Sequence, residues 1–122
     1  MYCIYSRAES PEALLADKVI AFALRPGRVK NRDLWDIHWI SQKSINLSGD
    51  LLTQKLADRE TRPEKFIRLY ETRLEAIKNG QEDFLFEMRR FLSRRAFDET
   101  FTSPLWWDYL LSLLKRLARG LP

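Results

Sequence analysis

The chain has 122 residues, which corresponds to a single domain of ordinary size. Hydrophobic residues make up 45% and charged residues 31%, a balance that excludes a disordered chain, and no apolar stretch approaches the roughly 20 residues of a membrane span. With one cysteine (Cys3) and one histidine (His38), neither an internal disulfide nor an ordinary zinc site can form. No secretory signal is visible, so we expect a soluble, cytoplasmic protein without membrane association.

Positive charge is concentrated in two segments of the sequence. The chain has 21 Lys and Arg residues against 17 Asp and Glu residues, a formal net charge of +4. Residues 25–32 (RPGRVKNR) and residues 89–95 (RRFLSRR) each hold four basic residues and no acidic one. Such clusters are either solvated surface or contacts for a phosphate-bearing partner, and the sequence leaves both interpretations open.

Capping residues and apolar stripes divide the chain into helices. Ser10 followed by Pro11 begins the first helix, and Asn31 is a suitable cap for the second. No segment alternates at period two over a useful length, although residues 2–6 could form one short strand. The predicted fold class is mainly α, a bundle of five to six helices in a single domain over residues 1–122. The predicted helices cover residues 10–24, 31–43, 49–60, 61–79, 81–94 and 103–120.

Lys18 lies on an apolar face of the first predicted helix. At about 100° per residue, Leu14, Leu15 and Phe22 fall within about 60° of it on the helical wheel. A lysine in that place either extends its ammonium group to the rim of the helix or meets an anion inside a cleft. The helix alone does not decide between these two interpretations.

Asp33 and Asp36 lie on one face of the second predicted helix, at a spacing of i, i+3. Large apolar residues surround them, so a carboxylate in this place needs a cation close by. Lys18 and Arg32 are the candidates. We expect both to lie beside the aspartates, because a break at Pro26-Gly27 should turn the two helices antiparallel. A buried ion pair that only ties the helices together remains an alternative.

A semi-buried lysine, a basic loop and an Asp-x-x-Asp helix form a combination suited to holding phosphates. His38, by contrast, is typical of a core residue rather than a catalyst. Trp106 and Trp107 are interpreted as core and rim of the last helix. The sequence contains no Gly-rich phosphate loop, no Gly-x-Ser-x-Gly motif and no set of His and Cys ligands.

The segment EALLADKVIAFALRPGRVKNRDLWDIHWI resembles the C-terminal half of the AbiEii/AbiGii family of nucleotidyltransferase toxins. The resemblance rests on Leu15-Ala16-Asp17-Lys18, on the arginine-rich loop and on Arg32-Asp33-Leu34-Trp35-Asp36, and it spans about residues 10–42. It implies a protein of two lobes. An α/β lobe with a Gly-Ser and a metal-binding Asp-x-Asp precedes a largely helical lobe that carries these motifs.

For this chain the resemblance implies transfer of nucleotides from NTP to an RNA acceptor such as tRNA. Lys18, Asp33 and Asp36 would be catalytic, Lys18, Arg28 and Arg32 would bind phosphates, and Mg²⁺ and NTP would be cofactor and substrate. These 122 residues contain no Gly-Ser dipeptide and no Asp-x-Asp pair. We therefore expect the helical lobe of a truncated or split toxin of a type IV toxin–antitoxin (abortive infection) system. By itself it would bind phosphates weakly, hold no metal and be inactive, and another chain would supply the missing lobe.

The alternative is a non-enzymatic helical module that binds nucleic acid or a protein partner. In that case the pairing of Lys18 with the aspartates is purely structural. An exposed apolar surface where the missing lobe would dock favours the enzyme lobe. A closed bundle with Lys18 and Asp36 paired in the interior favours the module.

Overall fold

The computed structural model describes residues 10–119, and these residues fold into seven helices without a strand. The mainly helical class is thereby confirmed, although the helices outnumber the predicted five to six. The strand predicted at residues 2–6 lies outside the described residues. No helix within residues 10–119 is long and apolar enough to cross a membrane. The helices are α1 (Pro11–Leu24), α2 (Asn31–Ser41), α3 (Gly49–Asp58), α4 (Pro63–Ile77), α5 (Gln81–Phe91), α6 (Arg94–Thr100) and α7 (Trp106–Arg119).

The central helix of the bundle is α1, which contacts α2, α3 and α4. Its sequence, PEALLADKVIAFAL, is apolar over most of its circumference, which is typical of a helix covered on several sides. Asp17 and Lys18 interrupt that apolar surface. Asp17 forms an ion pair with Lys55 of α3, with 3.0 Å between Oδ1 and Nζ, whereas Lys18 pairs with Asp36 of α2. The two neighbouring charges of α1 therefore connect it to two different helices.

The N-terminal caps of α1 and α2 differ in how well the sequence predicts them. Ser10 caps α1 as predicted, its Oγ accepting a backbone hydrogen bond of 3.1 Å from the first turn. Asn31 does not cap α2, because Lys30 occupies the N-cap position and makes no side-chain cap bond. The Asn31 amide instead donates to Asp83 (3.0 Å) and Glu87 (2.9 Å) of α5. A tertiary contact has replaced the local one.

The additional helix, α6, lies almost entirely between the predicted helices over residues 81–94 and 103–120, where no helix was expected. The chain leaves α5 at Leu92, which is extended, and Ser93 then caps α6 by accepting a hydrogen bond of 3.1 Å from the backbone N–H of Ala96. Phe91 does not share the buried face of α5 that Phe84 and Met88 form. It lies at the end of α5 and is 40% exposed.

The helices α4 and α7 pack together through two hydrogen bonds from aromatic side chains. The hydroxyl of Tyr70 donates to the carbonyl of Leu114 at 2.7 Å, and the indole N–H of Trp107 donates to the carbonyl of Lys78 at 3.2 Å. The Tyr70 ring meets the Phe22 ring edge-on at 5.2 Å between centroids, which joins α1 to the same contact. Burial raises the pKa of the Tyr70 hydroxyl well above its usual range, so it remains a donor at neutral pH.

Candidate functional site

Four charged side chains from α1, α2 and the intervening loop form one cluster. Nζ of Lys18 lies 2.7 Å from Oδ2 of Asp36 and 3.9 Å from Oδ1 of Asp33. The guanidinium of Arg25 binds Asp33 with two parallel hydrogen bonds, Nε to Oδ2 at 3.0 Å and Nη2 to Oδ1 at 3.2 Å. Two cations thus face two carboxylates, and we call these four residues the ion cluster.

The antiparallel turn between α1 and α2 brings the ion cluster together. Arg25, directly after α1, pairs with Asp33 in the first turn of α2. Lys18, about two turns earlier in α1, pairs with Asp36, about one turn later in α2. The pairing order therefore runs in opposite directions along the two helices, and the antiparallel arrangement expected from Pro26-Gly27 is confirmed.

The loop between α1 and α2 is held by an arginine from α4. Nη1 of Arg73 donates to the carbonyl of Gly27 at 2.6 Å and Nη2 donates to the carbonyl of Arg25 at 2.5 Å. Gly27 has a φ of +82°, a backbone conformation that side chains with a Cβ disfavour. Arg73 and Gly27 together fix the turn that aims Arg25 at Asp33.

Both aspartates are almost completely shielded from solvent, at 3% exposure each. This desolvation raises the pKa of the Asp36 carboxyl to about 6. Only Oδ2 of Asp36 has a partner, since Oδ1 is buried without a hydrogen bond from any described residue. Asp36 therefore titrates near neutral pH, and the net charge of the ion cluster changes with it.

Lys18 differs from the aspartates because its side chain is 24% exposed and reaches the surface of the bundle. Its ammonium group carries three donors, and Asp36 accepts at a hydrogen-bond distance from only one of them. The 3.9 Å separation from Asp33 is too long for a hydrogen bond. Lys18 can thus contact an external anion while it remains paired with Asp36.

The predicted site residues fall into two groups. Lys18, Asp33 and Asp36 lie together as expected. Arg32 does not join them, because its guanidinium lies over the Phe91 ring, 4.4 Å from the centroid. Arg28 is 89% exposed, and its Nη2 lies 3.7 Å from Oδ2 of Asp83. Their expected contact with the same phosphates as Lys18 is thus not preformed.

The second cation of the ion cluster is Arg25, which the sequence analysis did not single out. A signal for it exists, because residues 18 and 25 are seven apart and so share one face of a continuous helix. Arg28 instead lines a cleft of about 460 Å³ on the loop, together with Arg73, Leu34 and Trp107.

The ion cluster is a poor fit for the Mg²⁺ that the resemblance implies. Both oxygens of Asp33 accept from Arg25, and Oδ2 of Asp36 is paired with Lys18. Within residues 10–119, no three His, Cys, Asp or Glu side chains come close enough to hold a metal ion. A hard divalent cation prefers several oxygen ligands free of competing cations, which Asp33 and Asp36 do not provide here.

His38 lies half-buried among aromatic rings rather than in the core, and its Nδ1 accepts no hydrogen bond from any described residue. Its ring centroid is 5.1 Å from that of Trp106, 5.5 Å from that of Trp35 and 6.0 Å from that of Tyr109. Desolvation lowers the pKa of the imidazole, so His38 is neutral at pH 7. Trp107 is buried and Trp106 is half-buried, which is the reverse of the expected core and rim positions, because the Trp107 indole reaches inward to the Lys78 carbonyl.

Comparisons with known proteins give one family. A family model described as nucleotidyl transferase AbiEii toxin, type IV TA system, matches residues 6–110, a range that includes the whole ion cluster. Neither the curated proteins nor the solved structures contain a significant match to the chain.

Proposed function

Because the chain belongs to the AbiEii family of nucleotidyl transferase toxins of type IV toxin–antitoxin systems, we propose that it acts in nucleotide transfer from NTP to an RNA acceptor. In this proposal the ammonium of Lys18 contacts the NTP phosphates. The acceptor is tRNA or another cytoplasmic RNA, and the basic residues outside the ion cluster hold it.

The observation that carries the proposal is the state of Lys18. It is partly exposed, it is held at 2.7 Å by Asp36, and it retains donors for an incoming anion. A lysine oriented in this way presents a positive charge to a phosphate without first ordering a flexible side chain. Asp36 positions Lys18, and Asp33 positions Arg25.

Arg28 and Arg32 have a different part in the proposal. Arg28 is 89% exposed and has a long contact of 3.7 Å with Asp83, so its side chain can turn toward a phosphate that Lys18 already holds. Arg32 is one residue before Asp33 and faces away from the ion cluster toward Phe91. We assign Arg28 to the nucleotide and Arg32 to the acceptor.

Turnover requires more than this site provides. Phosphoryl transfer of this type depends on a divalent metal, and the ion cluster does not fit one. The sequence printed here also holds no Gly-Ser and no Asp-x-Asp. We propose that these 122 residues bind nucleotide phosphates weakly and do not turn over unless metal-binding carboxylates are added from elsewhere.

The second candidate function is a helical module in which the ion cluster is purely structural. The 2.7 Å contact between Lys18 and Asp36 favours it, because a satisfied ion pair can tie α1 to α2 without any ligand. The two candidates differ in one respect: only the first requires the exposed side of Lys18 to bind phosphate.

The test is the ³¹P line width of each NTP added to the chain. The probe variant is Lys18→Gln combined with Asp36→Asn, which removes the ammonium without leaving a buried charge unpaired. Lys55→Gln is the matched control, since Lys55 has 22% side-chain exposure and also pairs with an aspartate, Asp17. We expect broadening with the native chain and the control, and none with the probe variant.

Two outcomes would contradict the proposal. Equal broadening with the probe variant would mean that Lys18 contacts no phosphate, and the structural module would then be the better candidate. Incorporation of labelled NTP into bulk tRNA by the 122-residue chain with Mg²⁺, lost in Lys18→Ala, would mean that the lobe is active alone.

A further inference from the structure

A second surface of the protein combines arginines with exposed aromatic rings. It lies where α5, α6 and the start of α2 meet the solvent. Phe86 is 58% exposed and Phe91 is 40% exposed, and they lie five residues apart on one helix. We call it the arginine–aromatic surface, and it consists of Arg32, Phe86, Arg89, Arg90, Phe91 and Phe97.

Each aromatic ring of this surface has a guanidinium against it. Arg32 lies 4.4 Å from the Phe91 centroid, Arg89 5.0 Å from that of Phe97, and Arg90 5.8 Å from that of Phe86. A guanidinium that stacks on a ring keeps its N–H edge available for hydrogen bonds, and it fits a phosphate better than a lysine does. The rings therefore order the three arginines without neutralising them.

The three stacked arginines differ from the two arginines of α6 in their nearest partners. Arg94 and Arg95 of α6 have acidic partners one turn later, Asp98 at 3.9 Å and Glu99 at 3.1 Å. For the three stacked arginines, the described part of the chain provides rings instead of carboxylates. The acidic residues nearest in α5, Asp83 and Glu87, accept hydrogen bonds from Asn31 and line the same shallow groove as Phe86, Arg90 and Phe91.

We propose that the arginine–aromatic surface binds a single-stranded polynucleotide. Unpaired bases stack on the exposed faces of Phe86 and Phe91, while Arg32, Arg89 and Arg90 contact the phosphates. Since every base has a π-face, the binding depends little on sequence, and it requires bases that are not already paired. The surface begins at Arg32, one residue before Asp33, so it is placed to hold an acceptor strand beside the ion cluster. The role as a site for the acceptor strand rests on the proposed function, whereas the binding of single strands does not.

The test is the fluorescence anisotropy of a labelled single strand of about 12 nucleotides, a length within the usual site size of such surfaces. RNA and DNA strands of one sequence form separate arms. We expect Phe86→Leu with Phe91→Leu to weaken binding about tenfold or more, because leucine keeps apolar character but loses the ring. We expect the Phe86→Trp variant to retain its affinity for the strand, because tryptophan also provides a ring for stacking. Leu105→Ala is the control for removal of an exposed apolar side chain, since Leu105 is 64% exposed on another element.

The arginines are tested by the salt dependence of the same binding. Three phosphate contacts give a slope of log affinity against log salt of about −2, and each Arg→Gln substitution at positions 89 and 90 reduces that slope by about 0.7. Arg68→Gln, at an exposed arginine of α4, is the matched control and leaves the slope unchanged.

The outcomes separate this proposal from the proposed function. Absence of strand binding, indifference to loss of the two rings, or equal binding of duplex RNA or heparin would overturn it. Binding of polyglutamate in place of the strands would identify a protein-binding surface and would also overturn it. The Lys18→Gln, Asp36→Asn variant should bind strands like the native chain, so a failure of NTP binding alone leaves this proposal standing.

Discussion

The two basic segments of the chain look alike in sequence and differ in what the fold does with them. In residues 25–32, Arg25 forms an ion pair with Asp33, and the carbonyls of Arg25 and Gly27 accept hydrogen bonds from Arg73. In residues 89–95, Arg89 and Arg90 lie over aromatic rings, as Arg32 of the first segment does. The other two arginines of this segment, Arg94 and Arg95, pair with exposed acidic residues one turn later. An acid-free stretch is therefore not by itself a free positive surface, since a carboxylate or a guanidinium distant in sequence can satisfy it.

The largest expected loss of stability follows removal of the Asp33 carboxylate, which pairs with Arg25 of the first basic segment. Asp33→Ala removes a buried carboxylate and both of the charge-assisted hydrogen bonds that it accepts from Arg25, and we expect the free energy of unfolding to fall by about 3 kcal/mol. Asp98→Ala is the control, since it removes only an exposed partner of Arg94 and should cost less than about 0.5 kcal/mol. Urea denaturation measures both, and equal losses would mean that the ion cluster is no more buried than α6.

The next effect is a pH dependence at Asp36. The pKa of this carboxyl is raised to about 6, above its ordinary value of 3.8, so its protonation stabilises the fold. This stabilisation is complete below about pH 4 and is lost as the pH rises through 6, by about 3 kcal/mol in total. The Asp36→Asn substitution removes this pH dependence, because an amide does not titrate.

Urea denaturation of the native chain and of Asp36→Asn between pH 4 and pH 7 checks this prediction. We expect the native chain to lose stability relative to the variant as the pH rises. A gain instead would mean that the Lys18 ammonium, rather than desolvation, controls the Asp36 pKa.

A smaller effect is expected at the turn itself. Gly27→Ala places a Cβ in open space, so its cost is the strain of a φ of +82°, about 1 kcal/mol. The matched change in the second segment is Arg90→Gln, which should leave stability within about 0.5 kcal/mol because nothing buried depends on it. Thermal denaturation compares the two. A larger loss for Arg90→Gln would show that the second segment is structural as well.

Local signals predict much of this fold and part of the site. Ser10 followed by Pro11 marks the start of α1, and the i, i+3 aspartates share a face of α2 as their spacing requires. Ser93 is as good a cap as Ser10, but it stands between apolar and basic residues that continue a helical pattern. The sequence pattern therefore continues α5 through Ser93 and predicts no helix where most of α6 lies.

The remaining features depend on contacts between distant parts of the chain. Arg73 binds a loop 46 residues earlier, and Asn31 gives up its cap to bind α5, 52 residues later. The competition between Arg25 and Arg32 for Asp33 is decided by the path of the loop, not by spacing along a helix. The spacing of seven between residues 18 and 25 makes Arg25 a candidate, but local patterns do not decide between it and Arg32, because packing does.

A crossed binding measurement tests most directly whether the two regions have separate ligands. The native chain, the Lys18→Gln, Asp36→Asn variant and an Arg89→Gln, Arg90→Gln variant are each titrated with NTP and with a single-stranded oligonucleotide. We predict that the first variant loses only NTP binding and that the second loses only oligonucleotide binding. If either variant lost both ligands, or if both variants bound both ligands, the ion cluster and the arginine–aromatic surface would not have separate ligands, and the account would be contradicted.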